Sequence, residues 1–217
     1  MLRLLLVVSL AVAALATALP TAAPASAATG CPAGGAPPPP RAVQRQVDDL
    51  DGDGLPDALW IANARGTDGA THRFVGVSTA SGAISDVEIT TASPIPLRAL
   101  AIDAQRDGNH QIIVSDGRGA YLYEFADCRI QTVVDTHGAP FLFDLQNRRD
   151  TGTGVGCADL GAGPHLVGLQ ALPQDSQWTI RRTEIDLDGT VARIGRSDTV
   201  TAGSAQDPAV VAAQTIT

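Results

Sequence analysis

The sequence predicts an all-β protein made of repeats. Of its 217 residues, 44% are hydrophobic but only 4% are aromatic, so the chain can bury a core and that core is mostly aliphatic. Short runs of Val, Ile, Leu and Thr alternate with Gly, Asp, Asn, Ser and Pro, without helical periodicity longer than a couple of turns. An acidic loop between two apolar runs recurs at Asp49, Asp103 and Asp159, at steps of 54 and 56 residues. About three four-stranded repeats of this length predict a propeller-like array.

Residues 1–27 have the pattern of a secretory signal peptide. A mainly apolar run from Leu4 to Leu19 is followed by the small residues Ala25-Ser26-Ala27, so cleavage is expected after Ala27. The run is shorter than the roughly 20 residues that a membrane-spanning helix needs, and no transmembrane anchor is expected. We therefore expect a secreted protein.

The mature chain divides into a linker and one domain. Residues 28–42 are rich in Gly and Pro and are expected to form the linker. The propeller-like domain is expected to cover residues 43–217, with repeats near 43–97, 98–150 and 151–217.

Three blades are fewer than the four to eight with which propellers usually close. Residues 135–150 and 209–217 have strand-like composition and are expected to be available for a partial fourth blade. The alternative is a homodimer in which two chains form a six-bladed ring.

The net charge of −8 argues against nucleic acid as a partner, because no excess of cations is present to neutralise phosphates.

Three cysteines allow one disulfide in a secreted protein. In the repeat arrangement Cys128 lies on an outer strand and Cys157 on an inner one, roughly 14 Å apart, which is too far for a bond. Of the two remaining pairings we favour Cys31 with Cys128, because the N-terminal segment can reach the rim of the array. Cys157 is then expected to be a small buried apolar residue.

The first acidic loop has the spacing of a calcium site. Carboxylates stand at positions 1, 3, 5 and 9 and a glycine at position 6, so alternate residues can wrap oxygens around one hard cation. An EF-hand is excluded because Trp60 occupies the place of its twelfth ligand. Without a cation, each close pair of carboxylates costs on the order of 1–4 kcal/mol. The expected ligands are the side chains of Asp49, Asp51, Asp53 and Asp57 and the carbonyl of Leu55.

The other two loops keep fewer acids. Asp103 and Asp107 remain in the second loop, where Arg106 is expected to pair with an Asp in place of the ion. The third loop retains only Asp159 and is expected to bind nothing. The sequence therefore predicts one calcium ion per chain.

These loops resemble the FG-GAP repeat, also described as the VCBS or integrin-alpha-like propeller repeat. The match is specific in QVDDLDGDGLPDALWIA at 46–62, partial at 100–114 and weak at 155–170. A full Phe-Gly and Gly-Ala-Pro signature is missing, although Gly138-Ala139-Pro140 has its second half. The resemblance implies a β-propeller with calcium loops between the first two strands of a blade, in an extracellular protein that binds other proteins or glycans.

The sequence contains no convergent set of catalytic residues. It lacks a Gly-x-Ser-x-Gly elbow and a His-Glu-x-x-His helix, and the glycine run at 152–156 is expected to be a flexible connector between blades. The four histidines are expected on the surface or in turns. We therefore expect a secreted, calcium-stabilised binding or scaffold module without catalytic activity. The alternative is a small exported polysaccharide hydrolase or lyase with Asp103, Asp107 and Asp159 around a central channel.

Overall fold

A computed structural model describes residues 30–145 and 152–217, and these residues form an all-β protein. The signal peptide predicted at 1–27 lies outside the described residues. In the described part of the chain, no helix is long and apolar enough to cross a membrane.

The strands form three antiparallel sheets, and in each sheet four strands that follow one another in sequence are also neighbours in space. Sheet 1 contains β1 (Val43–Gln46), β2 (Ala58–Arg65), β3 (Thr71–Ser78) and β4 (Ile84–Glu88). Sheet 2 contains β5 (Arg98–Ile102), β6 (His110–Ser115), β7 (Gly119–Ala126) and β8 (Arg129–Thr132), with β9 (Leu142–Asp144) added on β7. Sheet 3 contains β10 (Gly152–Asp159), β11 (Pro164–Gln174), β12 (Gln177–Asp188) and β13 (Val191–Ala202). The three predicted four-stranded units are thus present, and none of these sheets closes into a barrel.

Sheet 2 lies between the other two sheets and is buried on both faces. Ile112 and Val114 of β6 belong to the core shared with sheet 1, while Ile113 belongs to the core shared with sheet 3. Successive residues of a strand point to opposite faces, so a strand with two covered faces needs a continuous apolar run. The sequence of β6, HQIIVS, is buried at every position.

The described parts of the two segments expected to supply a fourth blade have other roles, while residues 146–150 lie outside the described residues. Part of the first segment forms β9, which extends sheet 2. The second begins with a short helix, α1 (Pro208–Ala212), and continues to Ile216, which makes a single bridge to Val155. Asp207 is the N-cap of this helix, because its side chain accepts the N–H of Ala209. Proline follows at the first helical position, where it is favoured. The expectation of strand structure at 209–217 was wrong.

The glycine run expected to be a flexible connector is part of β10. A Cβ atom on Gly154 would lie 2.5 Å from the carbonyl oxygen of Ala212 and 2.6 Å from that of Thr215. The strand also bonds this C-terminal segment through Val155, whose N–H donates to Thr215 and whose carbonyl accepts from Thr217, both at 2.9 Å. The glycines are required because another stretch of backbone lies directly against them.

Candidate metal centre

The first acidic loop connects β1 to β2 and is closed at its base by backbone hydrogen bonds. The N–H of Val47 donates to the carbonyl of Asp57 at 2.9 Å. Within the loop, one carboxylate oxygen each from Asp49, Asp51 and Asp57 lies within 4.8 Å of the others. Three of the four predicted carboxylates are therefore gathered at one point, and this cluster can hold a metal ion.

Asp57 is the buried member of the cluster, with 2% of its surface exposed. Its Oδ2 accepts the N–H of Leu50 at 2.7 Å, and its Oδ1 accepts the N–H of Ala80 at 2.8 Å. Burial raises the pKa of Asp57 despite these two bonds, and the charges of Asp51 and Asp49 act in the same direction. A cation at this point would favour the charged form.

Asp51 connects the loop to two other segments. Its Oδ2 accepts the backbone N–H of Cys31 at 2.8 Å and the hydroxyl of Ser81 at 2.6 Å. Burial alone would raise the pKa of Asp51, but the bonds from Ser81, Cys31 and neighbouring donors together lower it. Asp51 is thus kept as a carboxylate.

Asp49 shapes the loop backbone. Its Oδ1 accepts the N–H of Gly52 and its Oδ2 that of Gly54, both at 2.7 Å. Gly52 and Gly54 have φ values of 76° and 86°, in the region that favours glycine. The glycine predicted at the sharp turn is therefore needed there.

Asp53, the fourth predicted carboxylate, is not part of the group of three, while the carbonyl of Leu55 stays a predicted ligand. The Oδ1 of Asp53 accepts the N–H of Leu55 at 2.7 Å, so this carboxylate stabilises the local turn. Leu55 is exposed in the loop.

The disulfide predicted between Cys31 and Cys128 is present, with a Cα separation of 5.5 Å. Cys128 lies in the turn between β7 and β8, so the bond joins the segment beside the metal cluster to sheet 2. Cys31 is buried, and nearby Gly34 bridges Ala83, so this part of the predicted linker packs against sheet 1.

Cys157 is exposed, which corrects the expectation of a buried apolar residue. It lies on β10 two residues beyond Val155, on the same face. Val155 belongs to the core between sheets 2 and 3, and Cys157 does not.

The second acidic loop is built without the full set of carboxylates. Asp103 accepts the N–H groups of Asp107 and Gly108 at 3.1 and 3.0 Å. The ninth position is Gln111, whose Oε1 accepts the N–H of Ala104 at 3.1 Å. Gln111 is 2% exposed, so a buried neutral amide makes the bond that Asp57 makes in the first loop.

The predicted salt bridge in this loop is not formed. Among the described residues, Arg106 makes no ion pair with Asp103 or Asp107. It is exposed with a φ of 57°, and backbone donors already satisfy Asp103. The expected pairing of Arg106 with an Asp of this loop was therefore wrong.

The third loop holds no comparable cluster. Asp159 accepts the N–H groups of Gly161 and Gly163 at 2.6 and 3.1 Å. Over residues 30–145 and 152–217, the one group of three acidic, histidine or cysteine side chains within 4.8 Å is Asp49, Asp51 and Asp57. Asp103, Asp107 and Asp159, the acids expected around a central channel, do not form such a group of three.

No family model matches the chain, and no curated protein or solved structure matches it either.

One histidine departs from the expected surface position. His110 is buried, with 7% of its surface exposed, and among the described residues its Nδ1 has no hydrogen-bond partner. His72 lies between two acids, with Nδ1 2.6 Å from Oε1 of Glu88 and Nε2 3.3 Å from Oδ1 of Asp68. No histidine belongs to the described three-carboxylate cluster.

Proposed function

We propose that the protein is a secreted, calcium-stabilised binding or scaffold module of propeller type, without catalytic activity. The observation that carries the proposal is the convergence of Asp49, Asp51 and Asp57 within one loop.

The donor set favours calcium. Carboxylate oxygens are hard ligands that suit calcium, magnesium or manganese, whereas zinc and copper sites usually include nitrogen or sulfur. A loop with two glycines can adjust to the large and flexible coordination shell of calcium more easily than to the strict octahedron of magnesium.

The location of the cluster favours a structural role for the ion. Asp57 bonds to Ala80 and Asp51 to Ser81, both in the connection between β3 and β4, and Asp51 also bonds to Cys31. An ion at the cluster would therefore hold together the β1–β2 loop, the β3–β4 turn and the N-terminal segment. Such an ion stabilises a rigid module.

The arrangement of the sheets supports the resemblance to FG-GAP repeats. Three sheets of four sequential strands pack face to face, and each has its acidic loop between its first and second strands. Because the described parts of the segments expected for a fourth blade are used elsewhere, we favour closure by a second chain into a six-bladed ring. Sedimentation of the purified protein distinguishes the monomer from the dimer.

The partner we propose is an extracellular protein or glycan, as the resemblance implies. Asp103 and Asp159 each accept backbone N–H groups of their own loops, so these carboxylates stabilise the loop backbone. This geometry favours a binding module over a polysaccharide hydrolase or lyase that employs them with Asp107.

The test compares thermal unfolding of the oxidised secreted chain in millimolar calcium and in excess chelator. Calcium at 100 times its Kd stabilises the folded state by about 2.7 kcal/mol, which corresponds to a rise in Tm of roughly 5–10 °C for a chain of this size. Asp51→Asn should abolish the rise, whereas Asp103→Asn in the second loop should retain it. An equal Tm with and without calcium would refute the calcium assignment.

A further inference from the structure

A polar cavity of about 340 Å³ lies between sheets 2 and 3, beside the second acidic loop. Its wall includes Asp107 in the loop, Glu124 on β7, Leu187 near the end of β12, and Thr190 in the β12–β13 turn. Within the described part of the chain, its lining has three carboxylates, four side-chain amides and no arginine or histidine. The cavity therefore carries net negative charge without a cation in its own wall.

Glu124 occupies the centre of a polar row across sheet 2. It pairs in register with Gln111 on one side and with Gln131 on the other, so the three side chains share a face. The amide nitrogen of Gln111 donates to the carbonyl of Asn109 at 3.2 Å, and that of Gln131 donates to the carbonyl of Ala126 at 3.0 Å. Both amides are thus oriented by backbone groups.

Glu124 itself is 6% exposed, yet among the described residues no donor hydrogen-bonds its carboxylate. Burial, followed by the charges of Asp107 and Asp127, raises the pKa of Glu124. A buried carboxylate without a partner is unfavourable unless a cation or donors reach it.

Glu184 shows how the same fold satisfies a buried glutamate. It is 3% exposed, and Arg196 donates to both of its oxygens, from Nε at 2.8 Å and from Nη2 at 2.9 Å. Glu124 is also buried, but it faces an open cavity where Glu184 has an arginine.

The carboxylates of this cavity do not converge as those of the first acidic loop do. An ion holds its oxygen ligands at about 2–2.6 Å, so ligands must lie within roughly 5 Å of one another. In the described residues only Asp49, Asp51 and Asp57 gather three such groups within 4.8 Å, and the acids of the cavity do not. An organic cation with several N–H donors can reach acceptors that are further apart.

We propose that this cavity binds a guanidinium group, with Glu124 as its carboxylate partner and the Oε1 of Gln131 as an additional acceptor. The guanidinium fork matches both oxygens of a carboxylate and is weakly hydrated, so it suits a buried acid better than an ammonium group does. The group can come from a free guanidino compound or from an arginine side chain of a partner protein.

Calorimetric titration tests the proposal on the oxidised chain in saturating calcium. Two probes carry the group: agmatine, and the capped peptide acetyl-Gly-Arg-Gly-amide. We expect at least one of them to bind, and Glu124→Gln to weaken that binding by about tenfold or more. If the peptide binds more tightly, the source of the guanidinium group is an arginine side chain of a partner protein. If agmatine binds more tightly, the source is a free guanidino compound. The capped peptide with citrulline in place of arginine, which is neutral, should not bind.

Glu184→Gln is the matched control. It breaks a buried ion pair and should lower Tm while leaving guanidinium binding intact. Glu124→Gln removes an unpartnered charge and should leave Tm unchanged or higher, so lost binding cannot be ascribed to unfolding. Failure of both probes at millimolar concentration, or equal affinity for wild type and Glu124→Gln, would overturn the proposal.

Discussion

The backbone N–H of Cys31 lies 2.8 Å from Oδ2 of Asp51, while the side chain of Cys31 is bonded to Cys128. One residue therefore contacts the candidate metal cluster on sheet 1 and is covalently joined to sheet 2. The residue that donates to Asp51 is thus joined covalently to a residue 97 positions away in the sequence.

Loss of the disulfide should weaken calcium binding as well as the fold. In the double variant Cys31→Ser, Cys128→Ser the unfolding free energy should fall by about 2–4 kcal/mol, because the unfolded chain is no longer constrained. Calcium affinity should also fall, because the donor to Asp51 is no longer held in place. Unfolding in chelator measures the first effect, and calorimetric titration of calcium measures the second.

Cys157→Ser is the control for this experiment, because Cys157 is exposed and forms no disulfide. It should change neither the unfolding free energy nor the calcium affinity. If the double variant binds calcium as tightly as the wild type does, the disulfide and the cluster are independent.

Gln111→Ala should destabilise the protein by about 1–3 kcal/mol. The substitution leaves the N–H of Ala104 without its acceptor, and both residues are at most 2% exposed. Denaturant unfolding gives the difference. Gln105→Ala in the same loop removes only a 3.4 Å contact to Asp107 and should have a much smaller effect. Equal effects of the two substitutions would contradict the role assigned to Gln111.

Gly154→Ala should destabilise the fold by about 1–3 kcal/mol, because the added methyl group meets two carbonyl oxygens of the C-terminal segment. Hydrogen exchange should show faster exchange at Thr217 and Val155, whose N–H groups form the bonds between β10 and this segment. A Cβ atom on Gly203 would have no neighbour within 4 Å, so Gly203→Ala should be close to neutral. Unchanged protection in Gly154→Ala would show that the segment can move away without cost.

His72 should titrate above its ordinary pKa of 6.5, because Glu88 first and Asp68 second accept hydrogen bonds from its charged form. A raised pKa in the folded state means that this contribution to stability is fully present below pH 6.5 and is lost as the pH rises through the folded-state pKa. NMR titration of the His72 ring measures the shift. Glu88→Gln should bring the pKa back toward 6.5, and an unchanged value would exclude Glu88 as the main cause.

The sequence predicts the features of the structure that depend on residues close together in the chain. The Asp49 loop, its glycines and the repeat of four strands each depend on residues close together in the chain. Asp53 shows the limit of spacing arguments, because its carboxylate bonds to the N–H of Leu55 and does not join the cluster. Helix α1 had a local signal in Asp207-Pro208, an N-cap followed by proline, which the strand-like composition of 209–217 obscured.

The environment of Glu124 depends on register and on a second sheet. A two-residue turn at Asp127-Cys128, where both residues have positive φ, pairs Ala126 with Arg129 and therefore Glu124 with Gln131. That pairing was accessible from the sequence. The cavity was not, because it also requires residues beside the β12–β13 turn, more than 50 positions further along the chain.

The order of strands in the three sheets has a consequence for the kinetics of folding. Apart from β9, which pairs with β7, the described strands pair with their sequence neighbours. Each sheet therefore closes only short loops and can form before the rest of the chain has folded. Contacts between sheets then accumulate from the N-terminus onward. Ile216 belongs to the core between sheets 2 and 3, and it reaches β10 only after that strand and its partners exist. Until then, the glycine face of β10 is an uncovered backbone surface on which a folding intermediate can associate with other chains.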